Sequence, residues 1–253
     1  MDAANNVILA VTGLTKEFRG FVAVKDVDLA VREGTIHALI GPNGAGKTTV
    51  FNLLTKFLVP TRGQILYRGE DITATKPAEI ARRGLVRSFQ ISAVFPHLSV
   101  LDNVRVALQR PQGLAAQFWR SSRALAVLDD RARALIEAVN LSAYIEFPAV
   151  ELPYGRKRAL EIATTLALDP AMLLLDEPMA GMGHEDIGRI SELIRRIARD
   201  RTVLMVEHNL NVVADLCDCV TVLARGEILA EGAYQAVSAD PRVREAYMGS
   251  EHD

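Results

Sequence analysis

One short segment of the chain has a backbone conformation that its residues almost dictate. Residues 41–48 read Gly-Pro-Asn-Gly-Ala-Gly-Lys-Thr and match the pattern G-x-x-x-x-G-K-[ST]. They lie between an apolar run at 35–40, which is typical of a buried strand, and a predicted helix at 48–58. The three glycines let the backbone turn its N–H groups inward, and the helix adds its positive N-terminus. The segment therefore predicts a binding site for nucleotide phosphates.

The last two residues of the loop have separate predicted roles. Lys47 is placed for the β- and γ-phosphates, and Thr48 offers a hydroxyl to Mg²⁺. The predicted nucleotide-binding residues in and beside the loop are Gly41, Pro42, Asn43, Gly44, Ala45, Gly46, Lys47, Thr48 and Thr49. Kinases, GTPases and ATPases all use such a loop, so it identifies a ligand class and no reaction.

Two further apolar strands end in residues that favour hydrolysis. The strand at 172–175 is followed by Asp176, which can hold Mg²⁺ through water, and by Glu177, which can orient or deprotonate an attacking water. The strand at 202–206 leads to His208, which at the same edge of a sheet can reach a γ-phosphate. We therefore predict Glu177 and His208 as catalytic residues and Asp176 as a metal ligand.

The order of strands and helices predicts an α/β fold with a parallel sheet. From residue 158 onward, helices predicted at 159–168, 186–199 and 209–216 alternate with strands. The N-terminal third reads as short strands, including 24–31 and 64–67, and residues 100–140 read as a helical insertion. Arg82, Arg83 and Arg87 could contact phosphate, but a solvated helix end is the favoured interpretation.

Charge and hydropathy exclude some classes of protein. The net charge of -2 argues against a nucleic-acid partner bound by bulk electrostatics. The first residues do not form a secretory signal, and no run approaches the roughly 18 apolar residues that a membrane span needs. Any membrane connection is expected to go through a partner.

Five motifs in a fixed order carry a family resemblance. They are the loop 41–48, Gln90 in Ser-Phe-Gln, Leu-Pro-Tyr-Gly at 152–155, the pair Asp176 and Glu177, and His208. With them the whole chain resembles the nucleotide-binding subunit of an ATP-binding-cassette (ABC) transporter. Within that class it is most similar to the ATPase subunits of importers for branched-chain and other hydrophobic amino acids.

The resemblance implies a fold and a set of ligands. The expected fold is a P-loop NTPase (RecA-like) parallel-sheet core with an N-terminal antiparallel β subdomain and an inserted α-helical subdomain. Residues 1–253 would form one nucleotide-binding domain, with the helical subdomain at about 96–158. ATP and Mg²⁺ are the expected cofactors. Phe18 would contact the adenine, and Gln90 would join the Mg²⁺ and γ-phosphate shell.

The resemblance also implies partners. Tyr154 and Gly155 would face a nucleotide held by a second ATPase subunit, in a homodimer or a heterodimer, so that each chain supplies half of two sites. Residues 91–96 would dock on the membrane subunits, which places the chain at the cytoplasmic face of the inner membrane. An extracytoplasmic substrate-binding protein would be an indirect partner.

Two departures and three alternatives accompany this reading. Pro153 and Tyr154 stand where the family usually has Ser-Gly, so a hydroxyl donor is missing, and Gly183 stands where many relatives have Asp. The same motifs occur in the ATPase of an exporter or lipid-extraction system. A soluble ATPase that remodels nucleic acid or protein complexes, and a small-molecule P-loop kinase, are the alternatives from other classes.

Overall fold

Strands and helices alternate along the chain. The computed structural model describes residues 6–88, 94–109 and 128–248 of 253. The strands are β1 (Val7–Phe18), β2 (Phe21–Arg32), β3 (Ile36–Ile40), β4 (Arg62–Tyr67), β5 (Glu70–Asp71), β6 (Leu85–Ser88), β7 (Met172–Asp176), β8 (Thr202–Val206), β9 (Cys219–Ala224) and β10 (Glu227–Gly232). The helices are α1 (Lys47–Leu54), α2 (Pro77–Arg82), α3 (Val100–Gln109), α4 (Asp129–Ala138), α5 (Tyr154–Leu166), α6 (His184–Ile197), α7 (Leu210–Leu216), α8 (Tyr234–Ala239) and α9 (Pro241–Met248).

The most apolar strands form the central sheet. Its order is β10-β9-β3-β8-β7-β6, in which β6 to β9 and β3 run parallel and β10 is antiparallel to β9. Every residue of β3, β7 and β8 is buried, which explains why their sequences are apolar except for His37, Asp176 and Thr202. The predicted parallel sheet is confirmed. Since parallel strands end at one edge of a sheet, the segments that follow β3, β7 and β8 meet there.

A second, antiparallel sheet packs on the side of α1 that faces away from the central sheet. Its order is β2-β1-β4-β5. Val24, Val27, Leu29 and Val31 of β2 are buried, and they join Phe51 of α1 in one apolar cluster. The predicted alternation is broken at Asp26, whose positive φ of 50° marks a bulge against β1.

The helix α1 ends earlier than the sequence predicted. The prediction ran to residue 58, whereas α1 ends at Leu54. Lys56 adopts a left-handed conformation (φ 64°), and the N–H of Leu58 donates to the carbonyl of Asn52 at 3.0 Å, which closes the helix. Phe57, within the predicted helix, therefore lies beyond the end of α1 and is exposed.

The described part of residues 96–158 is mostly helical. It contains α3, α4, two short 3-10 turns (Ser142–Tyr144 and Ala149–Glu151) and the start of α5. Val104, Ile136 and Leu160 are fully buried in one cluster that continues into the central sheet. Arg105 of α3 also makes two hydrogen bonds of 2.7 Å with the carboxylate of Asp129 at the start of α4.

The helices are short. The helix α6 has 14 residues, whereas about 20 apolar residues are needed to cross a bilayer. Within residues 6–88, 94–109 and 128–248, no helix has the length and apolar character of a membrane span.

A histidine is buried in the central sheet. His37 of β3 is 1% exposed, and its Nε2 lies 2.7 Å from the hydroxyl of Thr221 in β9. That hydroxyl donates its only proton to Glu231 at 2.7 Å, so the imidazole must donate from Nε2. Burial lowers the pKa of His37 to about 4.

The low pKa of His37 predicts that the folded protein becomes less stable in acid. Between pH 6.5 and about 4 the unfolded chain binds a proton at His37 and the folded chain does not, so the free energy of unfolding falls as pH falls. The expected loss is about 3 kcal/mol at pH 4 relative to pH 7. Urea unfolding across this range measures it. His37→Gln should remove that part of the slope, whereas substitution of the exposed His97 by Gln should not. An unchanged slope in His37→Gln contradicts the assignment.

Candidate functional site

The loop 41–48 adopts a conformation that its glycines permit. It connects β3 to α1, and Gly41, Gly44 and Gly46 all have positive φ. A Cβ on Gly41 would lie 2.0 Å from the carbonyl oxygen of Leu223, and one on Gly46 would lie 2.6 Å from that of Ala23. Two of the three glycines are therefore required by close backbone contacts as well as by φ.

Lys47 begins α1 and folds back over the loop. Its Nζ donates hydrogen bonds to the carbonyl oxygens of Gly41 (2.7 Å) and Pro42 (2.9 Å). Burial lowers the pKa of the amine, and the charges of Glu177 and Asp176 oppose that shift. A cation thus lies at the mouth of a concave loop, which suits an anionic ligand.

The loop lines a cavity with residues from the other strand ends. The cavity has a volume of about 260 Å³. Its lining residues are Phe21, Ala23, Asn43, Gly44, Ala45, Gly46, Lys47, Thr48, Thr49, Glu177 and His208. Most of the predicted phosphate-binding residues and both predicted catalytic residues are thus brought together.

Glu177 and His208 contact one another in this cavity. Oε1 of Glu177 lies 3.0 Å from Nε2 of His208. Glu177 has a positive φ of 46°, which a non-glycine residue adopts at some cost in free energy, and its N–H donates to the carbonyl of Val206 at 2.9 Å. The strained backbone turns the carboxylate from the end of β7 toward the loop after β8.

Asp176 ends β7 and is 1% exposed. Its Oδ2 forms an ion pair with Arg87, and its Oδ1 has no hydrogen-bond partner among the described residues. A buried acceptor without a partner is costly, so it is an expected position for an additional ligand.

Arg87 was misinterpreted from the sequence as part of a solvated helix end. It lies in β6, where its side chain pairs with Asp176, donates to Oδ1 of Asn52 at 2.6 Å and lies 5.6 Å from the ring of Phe51. The signal was available, because a charged residue in a strand beside apolar neighbours needs a buried partner.

The aromatic residues near the cavity are Phe18 and Phe21, at the ends of β1 and β2. They face each other across the hairpin, and both rings are exposed. Phe21 lines the cavity, whereas Phe18 is not among its lining residues and has the Nζ of Lys16 5.1 Å from its ring.

The remaining predicted residues lie elsewhere. Tyr154, which is exposed, and Gly155 begin α5 and do not line the cavity at the loop. A Cβ on Gly155 would overlap the carboxylate of Asp186, at 2.5 to 2.8 Å, so a larger residue there would require the side chain of Asp186 to move. Gln90 lies outside the described residues.

The close backbone contact of Gly46 predicts that a larger residue there weakens nucleotide binding. Gly46→Ala should weaken nucleotide binding roughly 30-fold, since an overlap with the carbonyl of Ala23 worth about 2 kcal/mol must be relieved by moving the loop. Titration calorimetry with ATP measures the affinity. Gly188→Ala, in the exposed face of α6 with open space around it, is the matched control and should bind as the parent does. Equal affinities for the two variants would contradict the prediction.

Known proteins resemble the chain over nearly its whole length. A family model described as ABC transporter matches residues 24–180, and one described as branched-chain amino acid ATP-binding cassette transporter matches residues 227–253. The high-affinity branched-chain amino acid transport ATP-binding protein BraF of Pseudomonas aeruginosa is 39% identical over 251 residues, which covers 96% of this chain and 98% of BraF. The corresponding protein LivG of Escherichia coli K12 is 37% identical over 249 residues, with the same coverage of 96% and 98%.

A solved structure agrees with these sequence relatives. The ADP conformation of MJ1267, an ATP-binding cassette of an ABC transporter, superposes with a TM-score of 0.84 at 30% identity and covers 96% of this chain and 99% of its own. The predicted P-loop NTPase fold and the predicted family are thereby confirmed. The chain belongs to the ABC transporter family, as an ATP-hydrolysing, energy-coupling subunit of the branched-chain amino acid importer group.

Proposed function

We propose that this chain hydrolyses ATP in the cavity at the loop 41–48, with Glu177 as general base. The observation that carries the proposal is the 3.0 Å contact between Glu177 and His208 inside a cavity that the phosphate loop also lines. A carboxylate there can accept a proton from the attacking water, and His208 can hold the carboxylate in position and contact the γ-phosphate.

The phosphates would bind to the inward N–H groups of the loop and to the amine of Lys47. The hydrogen bonds from Lys47 to Gly41 and Pro42 would be exchanged for bonds to phosphate oxygens, which carry full charge and accept more strongly. Thr48 and Thr49 line the same cavity. Phe18 remains the residue proposed to contact the adenine, and Phe21 is a second aromatic candidate beside it.

The residues present fit a magnesium ion. Oδ1 of Asp176 is a buried acceptor with no hydrogen-bond partner among the described residues, and Thr48, which is exposed, lines the cavity. Mg²⁺ keeps several waters and binds phosphate oxygens with one or two protein ligands, so it needs no cage of protein side chains. When bound, Mg²⁺ would neutralise charge on the β- and γ-phosphates. Thr48, Asp176 and Gln90 are the proposed ligands, directly or through water.

A second subunit would complete each site. Tyr154 and Gly155 lie outside the loop cavity, so in this chain alone the nucleotide would have no contact from the start of α5. The exposure of Tyr154 supports a head-to-tail dimer, with the same chain or a related one, in which each α5 meets the other subunit's nucleotide.

The membrane subunits would dock beside the end of β6. A groove of about 430 Å³ lies between α2, α3, α5 and the end of α1, and Phe57 and Val106 expose apolar surface in it. Phe95, within the proposed docking segment 91–96, is also exposed. We propose residues 96–158 as the helical subdomain of a single nucleotide-binding domain spanning 1–253, peripheral to the cytoplasmic face of the membrane.

The proposed cargo is a branched-chain or other hydrophobic amino acid. BraF and LivG are both described as high-affinity branched-chain amino acid transport proteins, and the C-terminal segment matches the model for that group. An extracytoplasmic binding protein would select the cargo, so this chain would set the energy supply and not the specificity.

The assignment of Glu177 predicts the effect of an isosteric substitution. Glu177→Gln should lower phosphate release from ATP by about 100-fold or more and leave ATP affinity within about 3-fold, because the amide cannot accept the proton. In the presence of ATP, this variant should therefore accumulate as a dimer, which light scattering detects.

The control for this experiment is Glu192→Gln, an exposed carboxylate of α6 that forms a surface ion pair. It should hydrolyse ATP at the parental rate. Hydrolysis by Glu177→Gln at that same rate would exclude Glu177 as the base.

A further inference from the structure

Glu207 is a buried carboxylate between the two loops that carry the proposed catalytic residues. It follows β8 directly and is 4% exposed. One oxygen, Oε1, accepts a hydrogen bond from the N–H of Met179 at 2.9 Å. The other, Oε2, accepts from the N–H groups of His208 at 2.8 Å and Asn209 at 3.0 Å. Its two oxygens thus bind two different segments of backbone.

The first of these segments begins at the proposed base. Residues 177–183 connect β7 to α6, and they include Glu177 and Met179. The N–H of Ala180 donates to the carbonyl of Glu177 at 3.1 Å, so the turn between the base and Met179 is compact. A hydrogen bond that holds Met179 therefore also restrains the backbone of Glu177.

The second segment carries His208. Two hydrogen bonds from consecutive N–H groups to one carboxylate oxygen fix the direction in which the chain leaves β8. Asn209 then caps α7, its side chain accepting from Asn211 at 3.1 Å. The imidazole of His208, which is partly exposed, is held toward Glu177 by this backbone arrangement.

We infer that Glu207 is a positioning residue whose carboxylate holds the segment 177–183 and the backbone of His208 in one relative arrangement, and so keeps His208 in contact with Glu177. This inference rests on the proposed roles of Glu177 and His208. It adds a residue that would touch neither ATP nor water and would act only through the other two.

The arrangement also extends to the start of α5. A Cβ on Gly181, within the same segment, would lie 3.9 Å from the ring of Tyr154. The segment that Glu207 holds is therefore beside a residue proposed to face the second subunit. Movement at that surface would reach His208 through Met179 and Glu207, a route made of hydrogen bonds with distances of 2.8 and 2.9 Å.

A double-mutant cycle tests the inference. Glu207→Gln keeps the volume, but its amide N–H₂ would face an N–H donor, so one of the two segments loses its partner. We expect kcat for ATP hydrolysis to fall about 10-fold or more and KM for ATP to change less than about 3-fold, since the phosphate loop is untouched. In a His208→Ala background, Glu207→Gln should lower kcat by a smaller factor than it does in the parent, because only the restraint on Glu177 is then left to lose.

Several outcomes would overturn the inference. A parental kcat in Glu207→Gln would do so, as would a double variant whose loss equals the product of the two single losses. Glu207→Asp tests the bridge with the charge retained: the shorter side chain cannot span both segments, and kcat should again fall. A parental kcat in Glu207→Asp would also contradict the inference that Glu207 bridges the two segments. Glu207→Asp still tests this inference if Glu207→Gln folds poorly.

The remaining controls separate a positioning role from general destabilisation and from failure of the proposed mechanism. Ile65→Val removes a buried methylene from β4 of the antiparallel sheet, outside the cavity lining, and should lower the melting temperature by about 2 to 4 °C with kcat unchanged. Glu177→Gln and His208→Ala are measured alone in parallel. If they hydrolyse ATP at the parental rate, the proposed function fails whatever Glu207 does; if they are impaired and Glu207→Gln is not, only the positioning role fails.

Discussion

The site depends on the parallel hydrogen-bonded alignment of β3, β8 and β7. Leu39 of β3 and Asp176 of β7 are both in register with Val206, the last residue of β8. The three strands therefore end at one level, and the phosphate loop, Glu177 and His208 are each reached within a few residues of that level. Since the strands are buried on both faces, a slip in register would turn each side chain to the opposite face and disrupt its packing, so the same apolar packing that stabilises the sheet fixes the geometry of the site.

Two arginines stabilise the end of β7, where charge is concentrated. Arg87 pairs with the carboxylate of Asp176, and Arg158 of α5 donates to the backbone carbonyl of the same residue at 3.1 Å while pairing with Glu161 at 2.7 Å. A buried ion pair is a poor source of stability by itself, because both groups lose their hydration. Here the pairs join β6, α1 and α5 to one aspartate, so the helix that begins at Tyr154 is connected mechanically to the proposed metal ligand.

Sequence reasoning could predict the parts of this protein that follow from local pattern. The loop 41–48, the apolar strands and the ends of β7 and β8 are each encoded within about ten consecutive residues, and their meeting at one edge follows from parallel pairing. The end of α1 at Leu54 could not be predicted, because Lys56 takes a left-handed conformation without being glycine or asparagine. The apolar neighbours of Arg87 indicate that it is buried, but they do not identify its partner Asp176, which is 89 residues away. The contact of Glu207 with Met179, 28 residues away, is equally absent from the local sequence. Buried polar networks of this kind depend on tertiary contacts that no local pattern contains.

The start of α5 shows how a site can tolerate the loss of a side chain. Pro153 occupies the N-cap and provides no side-chain hydrogen bond to the helix, where the family usually has a serine nearby. The first N–H groups of a helix have no partner within the helix, and its dipole favours an anion there. Tyr154 is exposed at this end of α5, and Gly155, which is buried beside the carboxylate of Asp186, belongs to the same first turn of backbone. A phosphate bound to the loop of a second subunit could be recognised by that backbone alone, so the missing hydroxyl removes one donor from the proposed composite site and leaves its physical basis intact.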